Sequence, residues 1–316
     1  ARNTSEGFCR ESPPRLQRFR IIRSSIPPLL GRMPLRVLWR LQGGTRRRYD
    51  PVANAVASPI RPIGDPEGPG LGDATRVGYV VSDLHMFSKR SDFKTHEPAI
   101  YEHAGEAEIF ILNGDTFDFR WTTLPTIDQT VYEAIEWLRK LAVSFPKCHF
   151  HFILGNHDNN QAFIEALSKL AVRLANLSWH PYYLKLGDTV FLHGDVSDKP
   201  MMDAADLEKH REEWLLDTPR HPFLHRVYDM AVHIGLHRMA QAAKYPKKRV
   251  VRRVMSYLDD VGLTKQTGVR HVYFGHTHGA MQNFEYGGLL FHNAGSPMKG
   301  LEFNILKVEI SGPIAD

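Results

Sequence analysis

Asp83 and His85 stand two residues apart at the end of the run Gly78-Tyr-Val-Val-Ser-Asp-Leu-His85. Along an extended chain, alternation points both side chains the same way. A hard oxygen donor and an imidazole leaving one strand end together could begin a metal site. The pattern recurs at Gly114-Asp115-Thr-Phe-Asp118, Gly155-Asn156-His157-Asp158, His193-Gly194-Asp195 and Gly275-His276-Thr277-His278. Pooled, Asp83, His85, Asp115, Asn156, His193, His276 and His278 give a mixed carboxylate, amide and imidazole set. It is too large for one tetrahedral ion and suits two ions sharing a bridging carboxylate. The lack of cysteine among these donors argues against a structural zinc. Taken one at a time, each residue has an ordinary alternative: Asp118 as a structural hydrogen-bonding group, Asp195 as a turn cap, His271 and His292 as sheet or surface residues. His180, His221, His225, His233 and His237 fall outside these motifs.

Each motif closes an apolar run, so the elements that must position it are β-strands. Strands are expected at Val77–Ser82, Glu108–Asn113, Cys148–Leu154, Tyr182–Leu186, Thr189–His193, His271–Phe274, Gly288–His292 and Phe303–Ile310. Helices are expected at Asp128–Val143, opening on Asp128 as N-cap, and at Gln161–Leu174, with Phe163, Leu167 and Leu170 on one face. Alternating strands and helices followed by a strand-rich last third predict an α/β fold, a layered α/β/β/α sandwich. Sites in such sheets are built at the carboxyl ends of the strands. Residues 199–265 differ: they are largely helical in pattern and end in Lys244, Lys247, Lys248, Arg249, Arg252 and Arg253, which reads as a helical insertion, or lid, between two core strands.

The 316 residues accommodate one large α/β domain or two smaller ones. A hydrophobic share of 42% and a charged share of 24% are those of a globular protein. No stretch approaches the roughly 18 to 20 apolar residues of a membrane span. Two cysteines, Cys9 and Cys148, make no disulfide framework, so a reducing, cytoplasmic setting is expected. Nothing resembles a cleavable signal peptide. The net charge of +5 is uneven: residues 1–76 carry fourteen arginines, no lysine and six acids, which leaves the remainder net negative. That Pro-rich arm is read apart from the domain, residues 77–316. Within it, Arg32, Arg36 and Arg40 recur every four residues among Leu29, Leu30, Met33, Leu35, Val37, Leu38, Trp39 and Leu41. As a helix this is a basic stripe beside an apolar surface, suited to an anionic membrane surface and a peripheral location; docking on the main domain is the plainer alternative. Nucleic acid ranks lower, because the arm has few aromatics for stacking on bases.

All five motifs, in order between Val77 and Ser296 and closed by Asn293-Ala-Gly-Ser296, resemble those of the calcineurin-like metallophosphoesterases. The resemblance implies a dinuclear hydrolase of phosphoester or pyrophosphate bonds. One ion would be held by Asp83, His85, Asp115 and His278, and the other by Asp115, Asn156, His193 and His276, with Asp115 bridging. Manganese is the first expectation for the metal, and the donor set also admits iron, zinc or cobalt. His157 would face the substrate as a catalytic group, with Asp158 orienting it and raising its pKa.

The long interval from His193 to His276, filled by the insertion, is similar to that of the UDP-2,3-diacylglucosamine pyrophosphohydrolases of lipid A synthesis. This implies a lipid-linked nucleotide sugar as substrate. One departure stands out, since the best-known members of that group carry Arg where this chain has His157. Soluble nucleotides or sugar phosphates are the alternative substrates. A non-catalytic scaffold is a third reading, opposed by the completeness of the donor set.

Overall fold

The computed structural model describes residues 76–216 and 245–311. The arm, Cys9, His221, His225, His233, His237 and the middle of the insertion lie outside the described residues. Among the described residues no helix is long and apolar enough to cross a membrane.

Two five-stranded sheets form the centre. In the first, β1 (Arg76–Val81), β2 (Ile109–Asn113), β3 (His149–Ile153) and β4 (Leu177–His180) run parallel in that order, and β10 (Leu306–Ile310) pairs antiparallel with β1. The second has the order β5, β6, β7, β9, β8. These strands are Tyr183–Leu186, Thr189–Leu192, His271–Tyr273, Leu289–Asn293 and Met281–Tyr286 for β5, β6, β7, β9 and β8. Strands β6, β7 and β9 are parallel, with antiparallel partners at each edge.

Strand β2 shows why the layers stack as they do. All five of its residues are buried. Phe110 and Leu112 point to one apolar cluster, Ile109 and Ile111 to another, as period-two alternation requires of a strand covered on both faces. The first cluster fills the space under α1 (Phe93–Glu106), α2 (Ile127–Ser144) and α3 (Gln161–Arg173). The second lies between the sheets, where Val80, Ile111 and Ile153 meet Leu184, Phe191 and Tyr273. A third packs Val190, Val272 and Phe291 of the second sheet against the insertion. The insertion supplies α4 (Ala204–Leu216), through Leu207, and α5 (Lys247–Asp260), through Val250, Val251, Val254 and Leu258. The expected α/β/β/α sandwich is what the chain adopts.

Several expectations need correction. Strands β4 and β8 are additions to the expected set: β4 has only four residues, and β8 carries a register shift between Met281 and Phe284 that breaks its alternation. Helix α1 was also missed, because Pro98 and Gly105 lie inside it and weaken the helical pattern. The N-cap of α2 is Thr126, whose hydroxyl accepts from Gln129 N at 3.1 Å. Asp128 instead sits in the first turn, where its charge complements the helix dipole.

Candidate dinuclear metal centre

The site lies where the carboxyl ends of β1, β2, β3, β6 and β7 converge. Asp83, His85, Asp115, His276 and His278 all have left-handed backbones, with φ between 45° and 62°. For non-glycine residues this costs on the order of 1–3 kcal/mol each, and it persists only where the surroundings impose it. Here each strand end is tied to another. Asp83 N donates to Gly114 O at 3.0 Å, His85 N to Asp115 O at 2.9 Å, and Gly275 N to His193 O at 2.6 Å. Asp83 accepts the His276 N–H at 2.9 Å, while Ser296 Oγ donates to Asp83 O at 2.7 Å and Asn293 Nδ2 to Gly275 O at 3.0 Å. The closing Asn293–Ser296 segment is therefore a clamp on two of the turns.

Two of the motif glycines are required by close approach. A Cβ on Gly155 would stand 2.1 Å from Asp115 Oδ1, and one on Gly275 would stand 2.3 Å from Asp83 Oδ2. Each glycine backbone thus forms part of the wall against which a carboxylate rests.

The donor atoms fall into two groups. Asp83 Oδ1 lies 3.4 Å from His278 Nε2, which lies 3.0 Å from His85 Nε2, which is 3.8 Å from Asp115 Oδ2. That same Asp115 Oδ2 is 3.3 Å from His193 Nε2, which lies 3.0 Å from Asn156 Oδ1, itself 3.1 Å from His276 Nδ1. One carboxylate oxygen is common to both groups. Ligand atoms of His85, Asp115 and His157 also fall within 4.8 Å of one another, although His157 Nδ1 is already engaged by Asp118 Oδ1 at 2.9 Å.

These residues fit two divalent cations. Asp83, His85, Asp115, Asn156 and His193 are all buried, and water cannot screen their charges. Burial alone pulls the His85 and His193 imidazoles down, yet the surrounding carboxylates overcome it. Asp118, Asp115 and Asp83 lift His85 to about 9, and Asp115, Asp195 and Asp83 lift His193 to about 10. His278 is held well below the ordinary histidine range by burial and by the neighbouring His85. Asp83 is pushed up by burial and by Asp115 despite the histidines around it. Such a cluster demands positive charge at its centre, and oxygen and imidazole donors together are what a pair of divalent ions takes. The buried Nδ2 of Asn156 has no partner, so that side chain is held by its carbonyl oxygen, the atom a cation would use.

Residues 79–280 match the family model described as calcineurin-like phosphoesterase. The chain is a calcineurin-like phosphoesterase. No curated protein matches it. Among solved structures, this phosphoesterase is similar to a dimetal phosphatase from Danio rerio, at 8% identity over 75% of this chain and 98% of that one, with a TM-score of 0.39. Membership of that family makes it a hydrolase acting on phosphoesters. A bound ion pair would supply a water of lowered pKa and neutralise phosphoryl oxygens.

The chain's own residues around that chemistry depart from expectation at one point. Asp158 does not contact His157. It turns inward, fully buried, and accepts the backbone N–H groups of Phe117 at 2.8 Å and of Thr116 and Gly155 at 3.2 Å each. Burial and the nearby Asp115 push its carboxyl up to about 7. The residue that orients His157 is Asp118, and burial's tendency to raise its carboxyl is overcome by His157 and His85, which hold it below the usual range. With Nδ1 fixed on Asp118, His157 keeps Nε2 as the atom that can hold or move a proton.

Two residues of the insertion and one just before it also reach the site unforeseen. Trp214 lies against His157 with ring centres 4.8 Å apart and planes tilted by 56°, and the Arg120 guanidinium lies 4.1 Å from the Trp214 ring while donating to Trp214 O at 2.6 Å. Arg211 is buried and donates to Asp195 Oδ2 at 2.7 Å, to Pro181 O at 2.7 Å and to Leu154 O at 2.9 Å. Asp195 is therefore the anchor for α4. The third is Asp198, beside His276. A sequence signal existed for Arg211, since it falls four residues after Leu207 and three before Trp214, on the helix's inward face.

Proposed function

We propose that this phosphoesterase hydrolyses the pyrophosphate bond of a lipid-linked nucleotide sugar of the UDP-2,3-diacylglucosamine type, releasing UMP. The observation that carries this reading is a groove of about 430 Å³ opening beside His278. Pro246, Val250, Ala280, Met281 and Leu301 give it apolar walls, and Lys247 stands at its edge. An acyl-bearing substrate has apolar surface to bury next to its phosphates, and such a groove would take it. The basic residues Lys247, Lys248, Arg249 and Arg252 on α5 suit an anionic substrate at a membrane surface. On this reading the Arg-rich arm brings the enzyme to that surface.

His157 favours a second reading, in which soluble nucleotides or sugar phosphates are turned over, because the named group carries Arg at that position. A panel assayed with manganese separates the two. UMP released from UDP-diacylglucosamine in mixed micelles, with little turnover of nucleotides or a chromogenic diester, supports the lipid reading. Efficient turnover of the soluble compounds, with none of the lipid, refutes it.

A further inference from the structure

We propose that Asp198 is a positioning residue that fastens both limbs of the helical insertion to His276, so that affinity for the second metal ion depends on the insertion. This rests on the two-ion reading of the site and extends it. Asp198 follows the short turn Asp195–Ser197 after β6. Its Oδ1 lies 3.1 Å from His276 Nε2, a close contact that is not in hydrogen-bond alignment. The same oxygen accepts the Tyr245 hydroxyl at 2.8 Å, and Oδ2 lies 3.1 Å from His210 Nε2. His210 belongs to α4, and Tyr245 stands two residues before α5. From α5, Arg253 Nη1 donates to the carbonyls of Ser197 and Asp198, each at 2.6 Å. Arg211 of α4 holds Asp195 at the start of the same turn.

One carboxylate is thus touched by the first limb, by the entry to the second and by an imidazole whose other nitrogen faces Asn156. A carboxylate on the far nitrogen of a ligating histidine fixes the ring and its tautomer and makes it a stronger donor; removing it typically costs about 10- to 100-fold in metal affinity. What is particular here is that Asp198 shares that role with the insertion. Loosening α4 from Asp198 frees the carboxylate to move, and His276 loses its brace. The first ion group is built from other contacts, Asp83 Oδ1 facing His278 Nε2, which faces His85 Nε2.

The test uses the full chain, with manganese as probe. Two-site affinities come from calorimetry and ion content from elemental analysis, for the wild type, Asp198→Asn, His210→Gln and Tyr245→Phe. Asp198→Asn should weaken one of two ions by about 10- to 100-fold and leave the other within about twofold. His210→Gln, which touches no metal donor, should weaken the same ion to a smaller extent, and excess manganese should restore it. Equal affinities in wild type and Asp198→Asn, or equal loss of both ions in His210→Gln, overturn the proposal. Failure of Asp198→Asn to fold leaves His210→Gln and Tyr245→Phe to decide, and unchanged affinities in both overturn it. A wild type that binds no manganese refutes the two-ion reading itself and this proposal with it.

Discussion

Replacing Gly155 by alanine should empty the site while leaving the fold standing. The new Cβ would lie 2.1 Å from Asp115 Oδ1, 2.4 Å from Asp115 N and 2.9 Å from Asp115 Cγ, where ordinary contact begins at 3.4 Å. The carboxylate must therefore retreat by about 1.3 Å, and it has little room to do so. Its Oδ1 accepts the His157 N–H at 2.8 Å, and its Oδ2 faces His193 and His85. Because Oδ2 is common to both donor groups, displacement removes a ligand from each. A misplacement near 1 Å costs about 100-fold in rate, and the overpacking costs about 1–3 kcal/mol in stability. The assay combines elemental analysis of manganese, turnover of a chromogenic diester and thermal melting. Expected are near-complete loss of both ions, activity down by at least about 100-fold and a folded circular-dichroism spectrum. Gly105→Ala is the control: it sits in α1, where its Cβ would meet only Phe145 at 3.4 Å and 3.8 Å. A Gly155→Ala protein that keeps two ions and near-normal turnover refutes the reasoning.

Three further sets of outcomes follow from the structure. His157→Ala should reduce turnover by about 100- to 10,000-fold with manganese content unchanged, and loss of an ion would make it a ligand instead. In contrast, Asp158→Ala should lower the melting temperature, since three buried backbone N–H groups lose their acceptor at about 1–3 kcal/mol for an unsatisfied group. The second outcome concerns acid. Burial and His149 hold His180 down to about 4, and burial with His180 and His149 holds His151 well below 6.5. The unfolded chain takes up these protons near pH 6.5 and the folded one does not, so stability falls as pH drops from 6.5 towards 4, by up to about 3 kcal/mol for His180. His180→Gln should flatten that part of a melting-temperature profile, and an unchanged slope would exclude this source. Third, chelation should lower the melting temperature and manganese should restore it in a concentration-dependent way, whereas identical melts with and without chelator would contradict a site that needs cations.

Much of the site was legible because its donors sit at the ends of apolar runs. A strand such as β2, buried on both faces, announces itself as a continuous apolar stretch, and the turn after it carries the chemistry within two residues. What could not be read depends on contacts distant in sequence. The resemblance implies Asp158 as the partner of His157, but its carboxylate turns instead to the backbone N–H groups of Thr116, Phe117 and Gly155. Asp118, 39 residues from His157, takes the place. Asp198 reaches His276 across 78 positions with nothing local to mark it. Helix α1 was hidden by Pro98, whose propensity cost is outweighed by burial of Phe93, Ile100 and Ala104. Strand β4 was hidden by its brevity.

The division of donors between the two sheets bears on how the chain reaches its native state. Strand ends of the first sheet contribute Asp83, His85, Asp115 and Asn156, while His193, His276 and His278 come from the second. Neither half holds both carboxylates together with the three later imidazoles. The last donors arrive about 195 residues after the first, with the insertion between them in sequence. Such long-range closure is slow relative to local structure. A nascent or partly folded chain therefore presents only an acid-rich half-site, and tight ion capture arrives with the docking of one sheet on the other. Ion uptake would in that sense come late in folding, as a report that the seam between the sheets has closed.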